Sequence, residues 1–420
     1  MGAIWEPLLL GLARYNLWDD HTALKLFSGL LFPRRRWTEP IRHVVIYRVG
    51  NIGDTVVAIP AMAAVRSAFP DAKITLLTSA GQPDLPGAAD VLSAFPGLVD
   101  KIVSYYPAEL RSWTGFASLK TRLQTQDHTS QQPQSIDAWV SLPVTMQGIF
   151  RGYREVLLAR LFGSRRATGF TVLLPEFFKR TYIKHHTLPR TSDWLLTLVQ
   201  TGLQGWDIQT PPPATPRPND PHASAADALS YFQSPQPEML NQLGLKPDAP
   251  LLVVNAGAKL AIKRWPVSAF RAVLTQVLNE IPSVQIVLLG NAQEQSLNAD
   301  IAHDLPGQIV NLAGQLSLAQ TWSILHQATA VLSNDTGAMH MAGLLHKPVF
   351  TPMSGQYPAP LWHPPGPKIN PEIQIFEHPV PCAPCFKSEC PLPQQLCLTE
   401  INPSRLSDAL CAGLKIHSAS

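Results

Sequence analysis

The sequence predicts an α/β protein built from two doubly wound parallel-sheet domains. Three observations lead there. An apolar strand, a glycine turn, a helical run and a second apolar strand follow one another between His43 and Ser79. The same alternation restarts at Leu251 and continues to Met353. A proline-crowded stretch separates the two. Strands alternating with helical runs imply βαβ units and a parallel sheet. For 420 residues, at roughly 100–200 residues per domain, two or three domains are expected.

Residues 1–40 stand apart as an amphipathic, basic helical segment. Leu8 to Leu12 and Leu24 to Phe32 form two short apolar patterns, followed by Arg34, Arg35, Arg36 and Trp37. Apolar helix, basic cluster and tryptophan suit a segment resting on an anionic membrane face. The same pattern also suits a helix pair packed on the body of the protein.

HVVIYRV (43–49) is the first predicted strand, and Gly50-Asn51-Ile52-Gly53 the turn after it. Asp54 opens a predicted helix running to Phe69, which Pro70 ends. AKITLLTS (72–79) and DAWVSL (137–142) are further strands, and Tyr153–Phe162 is a helix. The Gln/Thr/Ser-rich residues 124–134 form a surface loop. Residues 41–205 thus make the first domain, and 206–249 a proline-rich linker with one short helix, Ala223–Phe232. Residues 250–420 make the second domain. Its strands are 251–257, 284–290, 308–312, 330–335 and 348–353. Its helices are Val267–Glu280, Gln293–Asp304, Ser317–Gln327 and Met339–Leu345. Two such domains place a ligand cleft at the carboxyl ends of their sheets.

Composition narrows the function. Hydrophobic residues make up 45% of the chain, which excludes a disordered protein. Charged residues are 15%, against about 25% in an average domain, so the surface is apolar or meets a partner. The net charge, 33 − 30 = +3, is too weak for a nucleic-acid protein. All five cysteines lie beyond residue 380, unlike a disulfide framework spread through a secreted domain. The first twenty residues lack a basic stretch, so no secretory leader is expected. No apolar run reaches the ~18 residues of a membrane span.

Three sites carry chemistry. In RVGNIGDT (48–55), Gly50 and Gly53 let the backbone approach a ligand between strand and helix. Asp54 there is either an N-cap or a general base for an acceptor hydroxyl. In NAGAKLAIKRWP (255–266), Gly257 opens a strand-end loop carrying Lys259, Lys263 and Arg264. Such cations suit a diphosphate, or form a solvated turn. In SNDTGAMHMAG (333–343), the Thr336 and Gly337 amides could cradle phosphate oxygens, and Asp335 could accept from sugar hydroxyls. His340 faces either the ligand or the core. The full G-x-G-x-x-G dinucleotide fingerprint is missing from both halves.

Taken together, these sites resemble the ADP-heptose:lipopolysaccharide heptosyltransferase family, glycosyltransferase family 9. The likeness runs from about His43 to Ile401. It rests on VVIYRVGNIGDTVVAIPAMAAVRSAFPDAKITLLTS, on Lys263-Arg264-Trp265-Pro266 and on Asp335-Thr336-Gly337-Ala338-Met339-His340. LLGNAQEQ (288–295) resembles the family's donor-nucleoside segment, with Glu294 as its acid. The resemblance implies a GT-B architecture, two Rossmann-like domains facing a central cleft. It implies an inverting sugar transfer from a nucleoside diphosphate, first of all ADP-heptose, with no metal required. The acceptor would be a lipopolysaccharide-type, glycan or lipid-linked molecule bound by the first domain. Asp54 would be the base, Lys263 would stabilise the leaving diphosphate, and Asp335 would hold the sugar. Ala258 and Lys259 depart from the Ser/Thr often found before this lysine motif, which puts nucleotide or sugar preference in doubt. A cytoplasmic enzyme, peripheral at the inner membrane face, fits these expectations. A nucleotide-sugar epimerase and a non-catalytic nucleotide-sugar-binding protein are the alternatives.

The cysteines Cys382, Cys385, Cys390 and Cys397 are spaced C-x2-C-x4-C-x6-C. Four that close could hold a structural zinc. Disulfides or free buried thiols are the alternative. Cys411 lies alone in a terminal helix.

Overall fold

A computed structural model describes residues 23–32, 39–80, 86–125, 135–144, 149–170, 189–204, 206, 228–234, 236, 238–366 and 373–417. The expectations for residues 1–22, for Arg34 to Trp37, for 126–134 and for most of the proline-rich linker lie outside them. The chain divides into two compact units, Met1–Tyr231 and Phe232–Ser420.

The first unit begins with a helix α1 (residues 23–31). Then come β1 (His43–Tyr47), α2 (Ile52–Val56), α3 (Ile59–Ala68), β2 (Lys73–Ser79), α4 (Ala88–Leu92), β3 (Lys101–Tyr105) and α5 (Trp113–Gln124). β4 (Ala138–Ser141), α6 (Ile149–Leu161), β5 (Arg166–Thr168) and α7 (Thr191–Gln204) follow among its described residues. The strands form one parallel sheet in the order β3-β2-β1-β4-β5. β1 is buried along its whole length, as a strand covered on both faces must be. Trp139, Tyr47 and Phe162 fill the core beside it.

The single helix expected from Asp54 to Phe69 is two. It breaks at Val57 and Ala58 because Pro60 has no N–H to give Val56 and its ring crowds that carbonyl. β3, an edge strand of mixed exposure, has too weak an apolar pattern to stand out in sequence.

The second unit contains α8 (Met239–Gln242), β6 (Leu251–Asn255), α9 (Val267–Glu280), β7 (Gln285–Leu288), α10 (Gln295–Ala302), β8 (Gln308–Asn311) and α11 (Leu318–Gln327). β9 (Ala330–Ser333), α12 (Gly337–Leu344), β10 (Val349–Pro352), α13 (Ala359–Trp362), β11 (Ile373–Phe376), α14 (Leu396–Thr399) and α15 (Pro403–His417) follow. Its parallel sheet runs β11-β10-β9-β6-β7-β8. Val254, Phe270, Leu274, Leu332 and Leu410 meet in its core.

Both sheets reverse their winding once, between β1 and β4 in the first and between β6 and β9 in the second. At such a switch point the flanking connections leave in opposite directions and open a crevice beyond the strand ends. Asp54 follows β1, Lys263 follows β6 and Asp335 follows β9, the strands that border these switch points, while Glu294 follows β7, one strand further out.

Candidate active site

In the first unit, β1 ends at Tyr47, and Arg48 turns inward with only 1% exposure. Its Nε and Nη2 donate to the Asp54 carbonyl at 3.1 and 2.7 Å. Its Nη1 donates to the carbonyls of Leu142 and Pro143 at 3.0 and 2.6 Å. One buried guanidinium therefore ties the α2 turn to the exit of β4, across the switch point. Burial lowers its pKa, while Asp54 and Glu155 act in the opposite sense. Its charge persists, because a guanidinium starts far above neutral pH.

Asp54 is the third residue of α2, and the N-cap is Asn51 rather than Asp54. The correction has a plain cause. The chain turns helical at Ile52, so the carboxylate three residues beyond the cap reaches back, and its Oδ2 accepts the Asn51 N–H at 2.8 Å. Its side chain stays 14% exposed, with Oδ1 3.6 Å from Arg48 Nη2. Gly50 is required by this arrangement: a Cβ there would strike the Asp54 side chain. Gly53 lies inside α2 and its carbonyl accepts from Val57. The result is an oriented carboxylate with one oxygen held and the other near a buried cation.

Deeper in the same unit, Tyr47 and Tyr105 share a buried hydroxyl hydrogen bond of 2.8 Å. Burial pushes both phenols up, so neither ionises near neutral pH. Ser141, at the end of β4, donates to the buried Glu155 of α6 at 2.7 Å.

In the second unit, Lys263 ends a 3-10 turn, Ala261–Lys263, after β6. Its Nζ lies 2.6 Å from Asp335 Oδ2 and 5.9 Å from the centre of the Tyr357 ring. Asp335 is 8% exposed, and its other oxygen is 3.9 Å from His340 Nε2. The structure therefore joins Lys263, Asp335 and His340 in one cluster. Lys259 is exposed, and Arg264 turns its Nε back to the Ala258 carbonyl at 2.8 Å. Of the three cations in this loop, Lys263 is the one that reaches Asp335.

Thr336 caps α12 in an extended conformation, and Gly337 is the first helical residue. The first N–H groups of a helix have no intrahelical acceptor and favour an anion. His340 is buried on the next turn against the Trp362 ring, 6.0 Å away. Glu294 closes the 3-10 turn Ala292–Glu294, and its Oε2 accepts the Asn291 N–H at 2.9 Å. Its carboxylate occupies the space where Gly257 and Gly290 would carry a Cβ. Gly257 and Glu294, far apart in sequence, are therefore neighbours at the ends of β6 and β7.

Sequence reasoning missed the polar frame beneath this site. Asn255 Nδ2 donates to Thr336 Oγ1 at 3.0 Å, and Asn334 Nδ2 to the Ala256 carbonyl at 2.6 Å. The Trp265 N–H donates to Asn334 Oδ1 at 3.3 Å. The available signal was an asparagine at the end of each apolar run, Asn255 closing β6 and Asn334 directly after β9. From behind, Trp265 Nε1 donates to the Leu398 carbonyl at 3.1 Å, and Gln395 donates to the Ile262 carbonyl. Arg48 was missed likewise, although a charge directly after an apolar strand marks it.

The cysteine spacing does not close on a metal. Among the described residues, no three His, Cys, Asp or Glu side chains are grouped to hold an ion. Cys382 is exposed, Cys397 is buried in α14, and none of the five cysteines is joined in a disulfide. Backbone bonds from Cys385 to Gly355 and from Phe386 to Gln356, 3.0 Å each, pin this segment to the loop after β10.

A family model described as glycosyltransferase family 9 (heptosyltransferase) matches residues 193–396. Lipooligosaccharide heptosyltransferase 2 of Haemophilus influenzae is 28% identical over 33% of this chain and 40% of its own length. Lipopolysaccharide heptosyltransferase 1 of Pseudomonas aeruginosa is 23% identical over 88% of this chain and 98% of its own. The chain spans about two fifths of the length of the first three curated relatives it matches. The crystal structure of a family 9 glycosyl transferase from Veillonella parvula matches with a TM-score of 0.63 at 14% identity, covering 91% of this chain and 100% of the other. That likeness concerns the fold, two Rossmann-like parallel-sheet units of GT-B type.

Proposed function

We propose that the chain, whose residues 193–396 match the glycosyltransferase family 9 model, is a member of that family and moves a sugar from a nucleoside diphosphate to a lipopolysaccharide-type or other lipid-linked glycan. ADP-heptose is the first donor to test. The observation that carries this reading is the Lys263–Asp335 pair at 2.6 Å beside the N-terminus of α12. A leaving diphosphate needs a cation and N–H dipoles where its charge develops. Lys263 and the first amides of α12 supply them from the chain itself, so the transfer is proposed to need no metal.

The first unit would receive the acceptor and the second the donor. The acceptor hydroxyl oxygen would attack the anomeric carbon as Asp54 takes its proton. The bond from that carbon to the phosphate oxygen would break, its electron pair leaving with the diphosphate. One such displacement inverts the anomeric configuration. Asp335 would hold the sugar and Glu294 the nucleoside. Arg48, which holds the Asp54 backbone from beneath, would be a positioning residue. A cytoplasmic enzyme resting on the inner membrane face through residues 1–37 would meet lipid-linked acceptors there. No helix among the described residues is long and apolar enough to cross a membrane.

The test is a thermal-shift screen of the purified chain against nucleotide sugars, followed by mass spectrometry of a heptose-free lipopolysaccharide acceptor incubated with the donor found. An acceptor heavier by one sugar, with nucleoside diphosphate released, is expected. Rearranged free nucleotide sugar without acceptor would favour an epimerase, and binding without turnover a non-catalytic protein.

A further inference from the structure

Helix α1 is apolar on two sides, and only one of them is packed. Leu24, Phe27 and Leu31 recur at helical spacing and face α6, where Leu24 meets Val156. Phe27 meets Tyr153 edge-on at 5.0 Å. On the other side Leu26 and Leu30 stand bare, Leu30 at 78% exposure. A helix apolar all round is ordinarily buried all round.

α6 repeats the pattern. Its inward face carries Glu155, Val156 and Ala159, all buried. Phe150, Leu157 and Leu161 are exposed at spacings of seven and four, which puts them on one stripe, with Phe150 at 88%. Trp113 opens α5 at 81% exposure and stacks on Phe116, which stacks on Phe162 directly after α6. Phe162 is itself in the core, and α5 borders the exposed end of α6 through Lys120, whose Nζ donates to the Leu161 carbonyl at 3.1 Å.

Charge identifies the occupant. The exposed polar residues of α1 and α6 include Lys25, Arg154 and Arg160. Glu155, the one acid in either helix, is 1% exposed and accepts from Ser141. A protein partner of mixed surface charge would ordinarily be met by charges of both signs, and a second copy would set these cations against themselves. Bare leucines, a phenylalanine and a tryptophan, with cations and no exposed carboxylate among the described residues of α1 and α6, match the interface of an anionic bilayer.

We infer that the outer face of α1 and α6, extended by Trp113, docks on an anionic phospholipid surface. This goes beyond membrane contact through residues 1–37, since the stripe on α6 and Trp113 lie outside that segment. It needs neither Asp54 nor Lys263, so it stands or falls separately from the transfer reaction. The same helix that would meet lipid turns Glu155 inward to β4, next to the switch point of the first sheet.

The experiment is co-sedimentation of the full chain with vesicles of phosphatidylcholine, with and without phosphatidylglycerol. Binding to the anionic vesicles, weakened by salt and at least tenfold stronger than to phosphatidylcholine alone, is expected. The double variants Phe150→Ser/Leu157→Ser and Arg154→Glu/Arg160→Glu alter exposed side chains, and unchanged thermal melting verifies that they fold. Each should lower vesicle binding at least tenfold. Wild-type binding by folded variants would overturn the inference and leave residues 1–37 as the contact. Failure of the wild-type chain to bind anionic vesicles would overturn it too. So would a concentration-dependent dimer, by sedimentation, that both variants abolish.

Discussion

Arg48 grips the Asp54 carbonyl with two donors, at 2.7 and 3.1 Å, while being itself 99% shielded from solvent, at 1% exposure. Arg48→Met would leave three carbonyls, of Asp54, Leu142 and Pro143, without this donor and the Asp54 carboxylate without its nearest cation. Breaking a buried charged network of this kind costs roughly 3–5 kcal/mol. Urea unfolding should show a midpoint lowered accordingly. Arg48→Lys should lose less stability, since it keeps the charge but cannot reach both anchors with one fork. Equal midpoints for all three proteins would remove Arg48 as the tie across the first switch point.

Asp54 combines two tasks that substitution can separate. Asn at this position can still accept the Asn51 N–H but cannot take up a proton. Asp54→Asn should therefore melt near the wild-type temperature while turnover falls roughly 10²–10⁴-fold. Asp54→Ala should lose the same turnover and about 0.5–2 kcal/mol of stability besides. Donor affinity should be unchanged in both, as measured by calorimetry. Full turnover by the Asn variant would place the base elsewhere.

The Lys263–Asp335 pair makes an opposite kind of prediction. Lys263→Ala removes the cation from a nearly buried carboxylate and from any leaving diphosphate at once. Turnover should fall roughly 10²–10³-fold, and affinity for the nucleoside diphosphate product should fall with it. Lys263→Ala/Asp335→Asn should recover stability, because the unpaired buried charge is gone, but not turnover. Recovery of turnover in the double variant would reduce the lysine to a structural counter-ion.

The legible part of this protein was its regular part. α9 was predicted at its observed bounds, Val267–Glu280, because apolar residues recur at 3.6 spacing between Pro266 and Pro282. Lys263 and Asp335 were legible as charged residues in the loops that follow apolar strands, whereas Glu294 was reached only through the family resemblance. What could not be read was pairing across long separations. Glu294 lying over Gly257 depends on β6 and β7 being neighbours, which no local pattern encodes. The cysteine cluster shows the same limit: spacing gives candidate ligands, while among the described residues no three His, Cys, Asp or Glu side chains are grouped to hold an ion.

His43 predicts an acid-sensitive step in stability. It is buried at the start of β1, its Nε2 3.0 Å from Thr75 Oγ1. Burial, helped by Lys73, lowers its pKa from 6.5 to about 4. The unfolded chain then takes up a proton between pH 6.5 and about 4 that the folded chain refuses. The contribution is complete above the upper value and is lost as pH falls through the window, to at most about 3 kcal/mol. The difference in urea midpoint between pH 7 and pH 4.5 should be smaller in His43→Gln than in wild type. Equal differences would exclude the histidine as the titrating group.

Gly257 and Glu294 should behave as one unit. A methyl at 257 meets the end of a flexible side chain rather than backbone, so Gly257→Ala can be accommodated by swinging the Glu294 carboxylate away. The fold should survive with a melting temperature close to wild type. The displaced carboxylate would no longer stand over the β6 end, and donor affinity should fall about tenfold, the ~1.4 kcal/mol typical of one charged hydrogen bond. Glu294→Ala should cost a similar factor, and the double variant no more than either alone, since both changes remove the same contact. Calorimetric titration with the donor gives all four corners of this cycle. Losses that multiply would mean that Gly257 serves the ligand directly, through its backbone, and that its contact with Glu294 is incidental.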